Sequence, residues 1–424
     1  MRFFSTIKQV FTMPDLRNKI LFVVGLLVIS RILAHVPLPG VDLTALRSFF
    51  SQNQIFGLLN MFSGGAMENF SIIMMGVGPY ITASIIFQLL GMVVPQLEEL
   101  NKEGESGRAK INHWTRLLAV PLAIVQAYAM IRVLQGQQAL GVLDPIQWIT
   151  ILLSITAGTI LLMWIGELIS EKGIGNGISL LIAIGIVAGI PAQVRNTLAV
   201  MDATRIITLI FFAVIAVLVV MAIIMANEGM RQVPVTYARR SRGLKSYGGV
   251  DTHLPIRVNS AGVIPIIFAM SLMIFPGVAA KFFETAKSAW LANGAHFVAH
   301  LFENNLFYGI AYFFLVVLFT YFYTGVIFKP DQMAENLQKQ GGFVPGIRPG
   351  KETSNYLSHI ITRLTLIGAV FLGLIAVLPF IVQSMTKINT LALGGTGVLI
   401  LVSVIIETIR QIQAQLSMRN YDNY

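Results

Sequence analysis

Six histidines, twenty carboxylates and thirty basic side chains are the groups with which this 424-residue chain could do chemistry, and there is no cysteine. Thiol nucleophiles, thiolate metal sites and disulfides are therefore excluded, and the redox compartment cannot be read from cysteine usage. The histidines are His35, His113, His253, His296, His300 and His359. Only His296 and His300 stand at ligand spacing, as i and i+4, and no third donor lies near them in sequence, so they define no metal site. The chain has no GxxxxGK[ST] loop, no GxSxG turn and no HExxH pair. No catalytic centre, cofactor or metal is expected, and any energy for work must come from outside.

The charged residues can still act by electrostatics. Arg239, Arg240, Arg242 and Lys245 cluster in YARRSRGLKSYGG, beside Gly, Ser and Tyr. Arg348 stands in GGFVPGIRPGKET, where Pro345 and Pro349 restrict φ and Gly346 and Gly350 permit tight bends. This predicts Arg348 on a stiff tip. Such groups suit a polyanion such as RNA, or the acidic face of a partner protein. Scattered cations such as Lys102 are read instead as topology signals that touch lipid headgroups.

The elements that must carry these residues are membrane spans. The chain is 55% hydrophobic and 12% charged, with mean hydropathy +0.74, whereas soluble domains carry about 25% charged residues. Ten segments are long and apolar enough to span, near residues 20–38, 71–94, 116–134, 147–166, 174–191, 205–226, 259–278, 304–328, 360–382 and 391–409. Residues 1–19 read as an amphipathic helix on an anionic membrane face. They do not read as a signal peptide, because many further spans follow and no small-residue cleavage site stands out. Most Lys and Arg fall on one side, in the segments 2–19, 102–116, 231–257, 329–363 and 410–419 and at Lys172. Arg47, Arg132, Arg195, Arg205, Lys281, Lys287 and Lys387 fall on the other, and Arg31 lies inside a span. The basic side is cytoplasmic, which puts both termini there. All twenty acids lie in loops or at span ends, with Glu167, Glu228 and Glu407 nearest the membrane. That argues against an ion-coupled carrier and against a carboxylate-ringed cation channel.

The predicted fold is an all-α polytopic membrane protein with ten transmembrane helices. They form two pseudo-symmetric halves of five, 20–191 and 205–409, joined by an extracytoplasmic connection, 192–204. Cytoplasmic loops occupy 227–259 and 329–358, and 410–424 is a cytoplasmic tail. An odd number of spans per half makes the repeat inverted. Gly/Pro breaks fall at matching spans: GVGPY in the second and AGVIP in the seventh, GIGNGIS in the fifth and GGTG in the tenth. Matched breaks of this kind point to a pathway between the halves.

One stretch does not fit a simple span. Residues 55–62 make an apolar piece of about 12 Å as helix, far short of the ~30 Å hydrocarbon core. Ser63, Gly64 and Gly65 end it. It reads either as a re-entrant half-helix folded into a cavity or as an amphipathic surface helix before a kinked span.

At GVGPYITASII, KEGESGR, GIGNGIS, THLPIRVNSAGVIP and GGFVPGIRPG the sequence closely resembles the SecY family, the channel subunits of the bacterial protein-conducting translocon. The resemblance covers essentially the whole chain, with the motifs in the family's order and spacing. It implies a passive channel of the bacterial inner membrane. Such a channel passes unfolded secretory polypeptides and releases hydrophobic segments into lipid through a lateral gate between the second and seventh spans, assisted by the third and eighth. The alternative is a secondary solute carrier or lipid-moving transporter of inverted-repeat architecture. The implied pore ring is Val77, Ile81, Ile182, Ile186, Val263, Ile267 and Ile400. The implied re-entrant plug lies within 55–70 and includes Phe56, Leu58, Leu59, Phe62, Ser63, Gly64 and Gly65, the last three as its hinge. Thr82, Gln126 and Asn259 match the lateral gate, where they could pair across the closed seam. Arg239, Arg240, Arg242, Lys245 and Arg348 match docking loops for the SecA motor or a translating ribosome. The resemblance also implies SecE and usually SecG as partner subunits, a polypeptide with a signal sequence as cargo, membrane lipids around the gate, and no enzymatic activity.

Overall fold

The computed structural model describes residues 13–422 apart from 40–45, 47–49, 51–56, 58–59, 61–62, 137–139, 142, 200–205, 238–239, 243–244, 248–250, 284–287 and 387–393. An α-helix covers the core of each predicted span. In the first half these are α1 (Pro14–Leu33), α2 (Gly78–Val93), α4 (Glu105–Gly136), α5 (Pro145–Lys172) and α6 (Gly177–Ala199). In the second they are α7 (Ile206–Glu228), α8 (Ile264–Phe283), α10 (Asn305–Ile327), α12 (Lys351–Thr386) and α13 (Gly394–Asp422). Three shorter helices are α3 (Pro95–Lys102), α9 (Ala289–Glu303) and α11 (Pro330–Lys339). Among the described residues five helical stretches are long and apolar enough to cross a membrane unaided, and α2 with α3 forms a further pair bent by 101°. The bend falls at Val94, which is extended (φ −99°, ψ 112°) because a residue before proline is pushed out of the helical region.

Proline opens several of these helices in the first turn, where its missing N–H costs no hydrogen bond. Asp144 and Gln147 close a capping box at the start of α5. Asn304 Oδ1 accepts from Leu306 N at 3.0 Å to cap α10.

The second span departs from expectation: its helix begins at Gly78, and residues 63–77 run as successive turns. Gly64, Gly65 and Gly76 take positive φ, and so does Phe70 at 46°. Phe70 is fully buried, so packing holds it in a region that side chains disfavour. Leu38 N donates to Phe70 O at 2.9 Å and Ile72 N to Val36 O at 3.2 Å, which pins the stretch to the end of α1. A Cβ on Gly158 of α5 would run into the Ile72 carbonyl oxygen. The turns are therefore packed inside the bundle, where non-helical backbone at membrane depth is tolerated.

Two helices exceed their predicted spans. α4 starts at Glu105 and α12 at Lys351, well ahead of the span starts predicted near 116 and 360. The all-α expectation holds for the spans, but the cytoplasmic loops add strands: β1 (Met230–Tyr237), β2 (Arg240–Arg242), β3 (Lys245–Tyr247), β4 (Asp251–Arg257) and β5 (Gly342–Phe343). β4-β1-β5 form one antiparallel sheet, with Met230 opposite Arg257 and Thr236 opposite both Asp251 and Phe343. The two large loops are thereby joined into one platform, over a core of Val233, Ile256, Val344, Leu357 and Ile361.

Within the first half α2 packs on α4, α4 on α5, and α5 on α6; within the second α8 packs on α10, α10 on α12, and α7 on α13. The halves meet along two seams, α8 against α2 and α4, and α6 against α13. The four helices with matched Gly/Pro breaks are thus among those that meet, with α4 beside them.

The turn between α5 and α6 depends on close backbone approach. Ser170 Oγ accepts from Gly177 N at 2.8 Å, and Gln411 of α13 accepts from Gly175 N at 2.8 Å. A Cβ on Gly177 would collide with the Gly166 carbonyl oxygen. Gly177→Ala is expected to destabilise the protein by about 1–3 kcal/mol, read as a lower thermal midpoint in detergent. Gly25→Ala, with nothing within 4 Å of the added methyl, should leave that midpoint in place.

Candidate functional site

Val77 and Val263 occupy equivalent places in the two halves. Val77 is the residue before α2, and Val263 the residue before α8. Each follows a glycine in the left-handed region, Gly76 at φ 56° and Gly262 at φ 65°. A side chain at either glycine would be strained, so the chain turns there and aims the next valine inward. One helical turn further, Ile81 and Ile267 extend the same faces, and Ile267 N bonds to Val263 O at 3.3 Å. Ile182 and Ile186 stand one turn apart on α6, and Ile400 lies on α13. All of these except Ile81 are buried members of one contiguous apolar cluster, and Ile81 packs against it. The seven predicted ring residues are thus brought together from both seams. Branched aliphatic chains offer water and ions no ligand.

Members of the cluster also line a cavity of about 580 Å³. Ile81, Ile182 and Ile267 line it together with Ser84, Gln88, Asn112, Asn176 and Ser179. Arg116 and Glu167 pair across it, Nε to Oε1 at 2.6 Å. A cavity with polar and charged lining therefore adjoins the apolar cluster. The pairing of Arg116 with Glu167 is not visible in the sequence; the only signal is that Glu167 sits at a span end.

Of the predicted plug residues, Phe56, Leu58, Leu59 and Phe62 lie outside the described residues. Ser63, Gly64 and Gly65 are described, and they form a tied turn. Asn60 Nδ2 donates to Glu68 Oε2 at 2.9 Å and Glu68 N to Asn60 Oδ1 at 3.0 Å. Gly65 N and Ser63 Oγ both donate to Asn60 O, at 2.8 and 2.9 Å. Gly64 (φ 69°) is wedged between the Arg31 guanidinium and Gly185, and a Cβ on it would come within 2.7 Å of Gly185 Cα. Gly185 lies between Ile182 and Ile186 on α6. Ala66, fully buried, belongs to the same cluster as the ring. Ala66 falls within the predicted plug range, whereas sequence reasoning missed Gly185, because a small residue on an apolar helix carries no signal of its own.

The gate residues divide. Thr82 Oγ1 donates to Gly78 O at 3.1 Å, and Gln126 Nε2 reaches Thr82 Oγ1 at 3.5 Å. Asn259 does not join them: its Nδ2 donates to Asn227 Oδ1 at 2.6 Å. The expected pairing of all three across the seam is therefore absent here. Asn259 lies in the loop before α8, beside the end of α7, so the carboxamide it meets is that of Asn227.

Among the docking residues, Arg239 lies outside the described residues. Arg240 and Arg242 are on β2 and Lys245 on β3, with Arg242 opposite Lys245. Arg348 is exposed at the tip predicted for it. Gly346 (φ 82°) and Gly350 (φ 100°) make the bends, Thr353 Oγ1 donates to Arg348 O at 2.9 Å, and Ser354 Oγ donates to Asp331 Oδ1 at 2.6 Å.

A polytopic helical membrane protein, with a polar cavity adjoining an aliphatic cluster between its halves, is the class that this fold and site define. The model of the SecY family matches residues 71–409. Protein translocase subunit SecY of Streptomyces scabiei is 41% identical over 435 residues, covering 98% of each chain. That of Halalkalibacterium halodurans is 43% identical over 439 residues, covering 99% of each. Among solved structures, a protein-conducting channel superposes with TM-score 0.64 at 20% identity, over 93% of this chain and 91% of the other. Sec61 from a canine ribosome-channel complex superposes at 0.61 and 19%, over 93% and 91%. The chain belongs to the SecY family, and it is a protein-translocation channel. The solute-carrier alternative is not favoured.

Gly64→Val is expected to lift the 63–65 turn off Gly185 and to raise the resting ion leak several-fold. Single-channel recording of the purified complex in planar bilayers checks this; a leak equal to that of the unsubstituted channel would refute it.

Proposed function

We propose that unfolded secretory polypeptides cross through the neck made by Val77, Ile81, Ile182, Ile186, Val263, Ile267 and Ile400. The observation that carries this is their gathering, from four helices of both halves, into one cluster beside a polar cavity. A neck without specific ligands can yield to a chain of any sequence and then close on itself. Phe56, Leu58, Leu59, Phe62, Ser63, Gly64 and Gly65 form the plug that seals it from the extracytoplasmic side, with the 63–65 turn as hinge. Hydrophobic segments leave sideways between α2 and α8, past Thr82, Gln126 and Asn259. Each interhelical polar pair there is worth only about 0.6–2 kcal/mol, so a hydrophobic segment entering the seam can offset its loss.

The chain sits in the bacterial inner membrane with both termini cytoplasmic, which the basic loops support. SecE and SecG are its partner subunits, and lipid surrounds the gate. Arg239, Arg240, Arg242, Lys245 and Arg348 dock the SecA motor or a translating ribosome. Support for the ribosome comes from the solved neighbours: canine Sec61 is in a ribosome-channel complex, and the yeast Ssh1 complex is bound to the 80S ribosome.

A cysteine-free chain makes the pathway directly testable. Ile81→Cys and Ile267→Cys should each crosslink to a secretory chain stalled in transit, while Val125→Cys and Leu318→Cys, both on outward-facing helix surfaces, should not. Crosslinks confined to the two outward positions would overturn the pathway. Separately, Arg348→Glu should abolish motor-driven translocation while leaving the assembled complex at normal abundance. Translocation at the normal rate would remove Arg348 from the docking surface.

A further inference from the structure

The ion pair in the cavity wall has no part in the neck, yet it faces whatever occupies the cavity. Arg116 of α4 holds Glu167 of α5 at 2.6 Å, and both line the same space as Ile81, Ile182 and Ile267. The two partners are unequally placed. The Arg116 side chain is 46% exposed and that of Glu167 only 16%. Glu167 is thus a nearly buried carboxylate that depends on one guanidinium. Glu171, one helical turn further on α5, lines the same cavity and makes no ion pair among the described residues. Among the described lining residues Arg116 is the one cation, set against two carboxylates.

That balance has a consequence for a passing chain. A nearly buried charge that loses its partner is costly to leave bare, and it is relieved by a proton or by another cation. The cavity lining draws on both halves, with Ile264, Ile267 and Phe268 of α8 facing α4 and α5. A polypeptide entering the neck past these residues carries its own lysines and arginines alongside Glu167. An unpaired carboxylate there would hold them back. Paired, it offers them little, because the guanidinium already fills its place.

We infer that Arg116 is a specificity-determining residue for the charge of the cargo. By occupying Glu167 it keeps the cavity from retaining the Lys and Arg side chains of a chain in transit. The converse holds for Glu167, which keeps the Arg116 guanidinium from retaining Asp and Glu. The inference rests on the pathway proposed above. The aliphatic neck is indifferent to sequence because it has no polar groups; the cavity beside it becomes indifferent because its charges are engaged with each other.

The test uses the complete translocase in proteoliposomes with the membrane potential collapsed. One secretory protein carries a run of Lys, of Glu or of Gln in its mature part, and each rate is divided by that of the Gln-run cargo on the same variant. Arg116→Gln is expected to lower the Lys-run ratio by about 2- to 5-fold, the range of a single exposed ion pair, and to leave the Glu-run ratio no lower. Glu167→Gln should lower the Glu-run ratio instead. Combining the two should return the Lys-run ratio to that of the unsubstituted channel, and Arg116→Lys should hold it there. Equal slowing of all three cargoes, or an unchanged Lys-run ratio in Arg116→Gln, would overturn the inference. Should Arg116→Gln not accumulate, Glu167→Gln decides it by the Glu-run ratio alone. Gln88→Cys, in the same lining, separates the two readings. If it fails to crosslink to a stalled secretory chain, the pathway reading fails and the inference falls with it. If it crosslinks and the ratios do not move, only the role of Arg116 falls.

Discussion

Aliphatic contact between helices that share no specific bond is the interaction on which the rest of this structure depends. A polar lock at the neck would bind some polypeptides and reject others, and it would leave unpaired groups whenever it opened. Val77, Val263 and the five isoleucines avoid both costs, because their contacts are lost and regained without orphaned donors or acceptors. The demand falls on the backbone instead. Small branched residues seal only if their helices come close, and glycines supply that approach: Gly76 and Gly262 by turning the chain ahead of each valine, Gly185 by letting the 63–65 turn lie against α6.

Polar and charged groups are arranged around this apolar centre by the same logic. Arg116 and Glu167 pair in the cavity that adjoins it. Asn227 bonds to Asn259 and Ser403 in a buried set, which is satisfied almost entirely within one half. Little of the polar bonding therefore has to be broken for the halves to part along α2 and α8. The other seam differs, since Gly175 of the α5–α6 turn donates to Gln411 of α13. One seam is tied at its cytoplasmic end and the other is mostly apolar, so the second is the easier to open.

Much of this was legible in the residues. Hydropathy located ten helices because a lipid environment leaves the chain few alternatives. The matched GVGPY and AGVIP breaks pointed to the helices that meet at the first seam, because a glycine that must take positive φ leaves a mark in sequence. Hydropathy failed where tertiary packing overrode local preference. Residues 71–77 read as the start of a span, yet Ser71, Ile73, Met74 and Met75 are buried in turns against the end of α1 and Gly158. Phe70 at φ 46° could not be foreseen from any propensity. Asn227 was invisible for a different reason: an asparagine at a helix end is ordinary, and only the approach of Asn259, Ser403 and Arg410, distant in sequence, gives it its hydrogen-bond partners.

The strands of the cytoplasmic loops show what spacing alone could not. β5 follows the helix after α10, while β1 follows α7, and their pairing makes the Arg348 tip and the Asn227-to-Asn259 loop parts of one platform. Val258 N donates to Gly229 O at 2.9 Å as that loop leaves the sheet. A Cβ on Gly368 of α12 would then come within 2.5 Å of the Val258 carbonyl oxygen. α12 begins just after Arg348 and runs unbroken to Gly368. The exposed tip and the residue before Asn259 therefore both lie against the same helix.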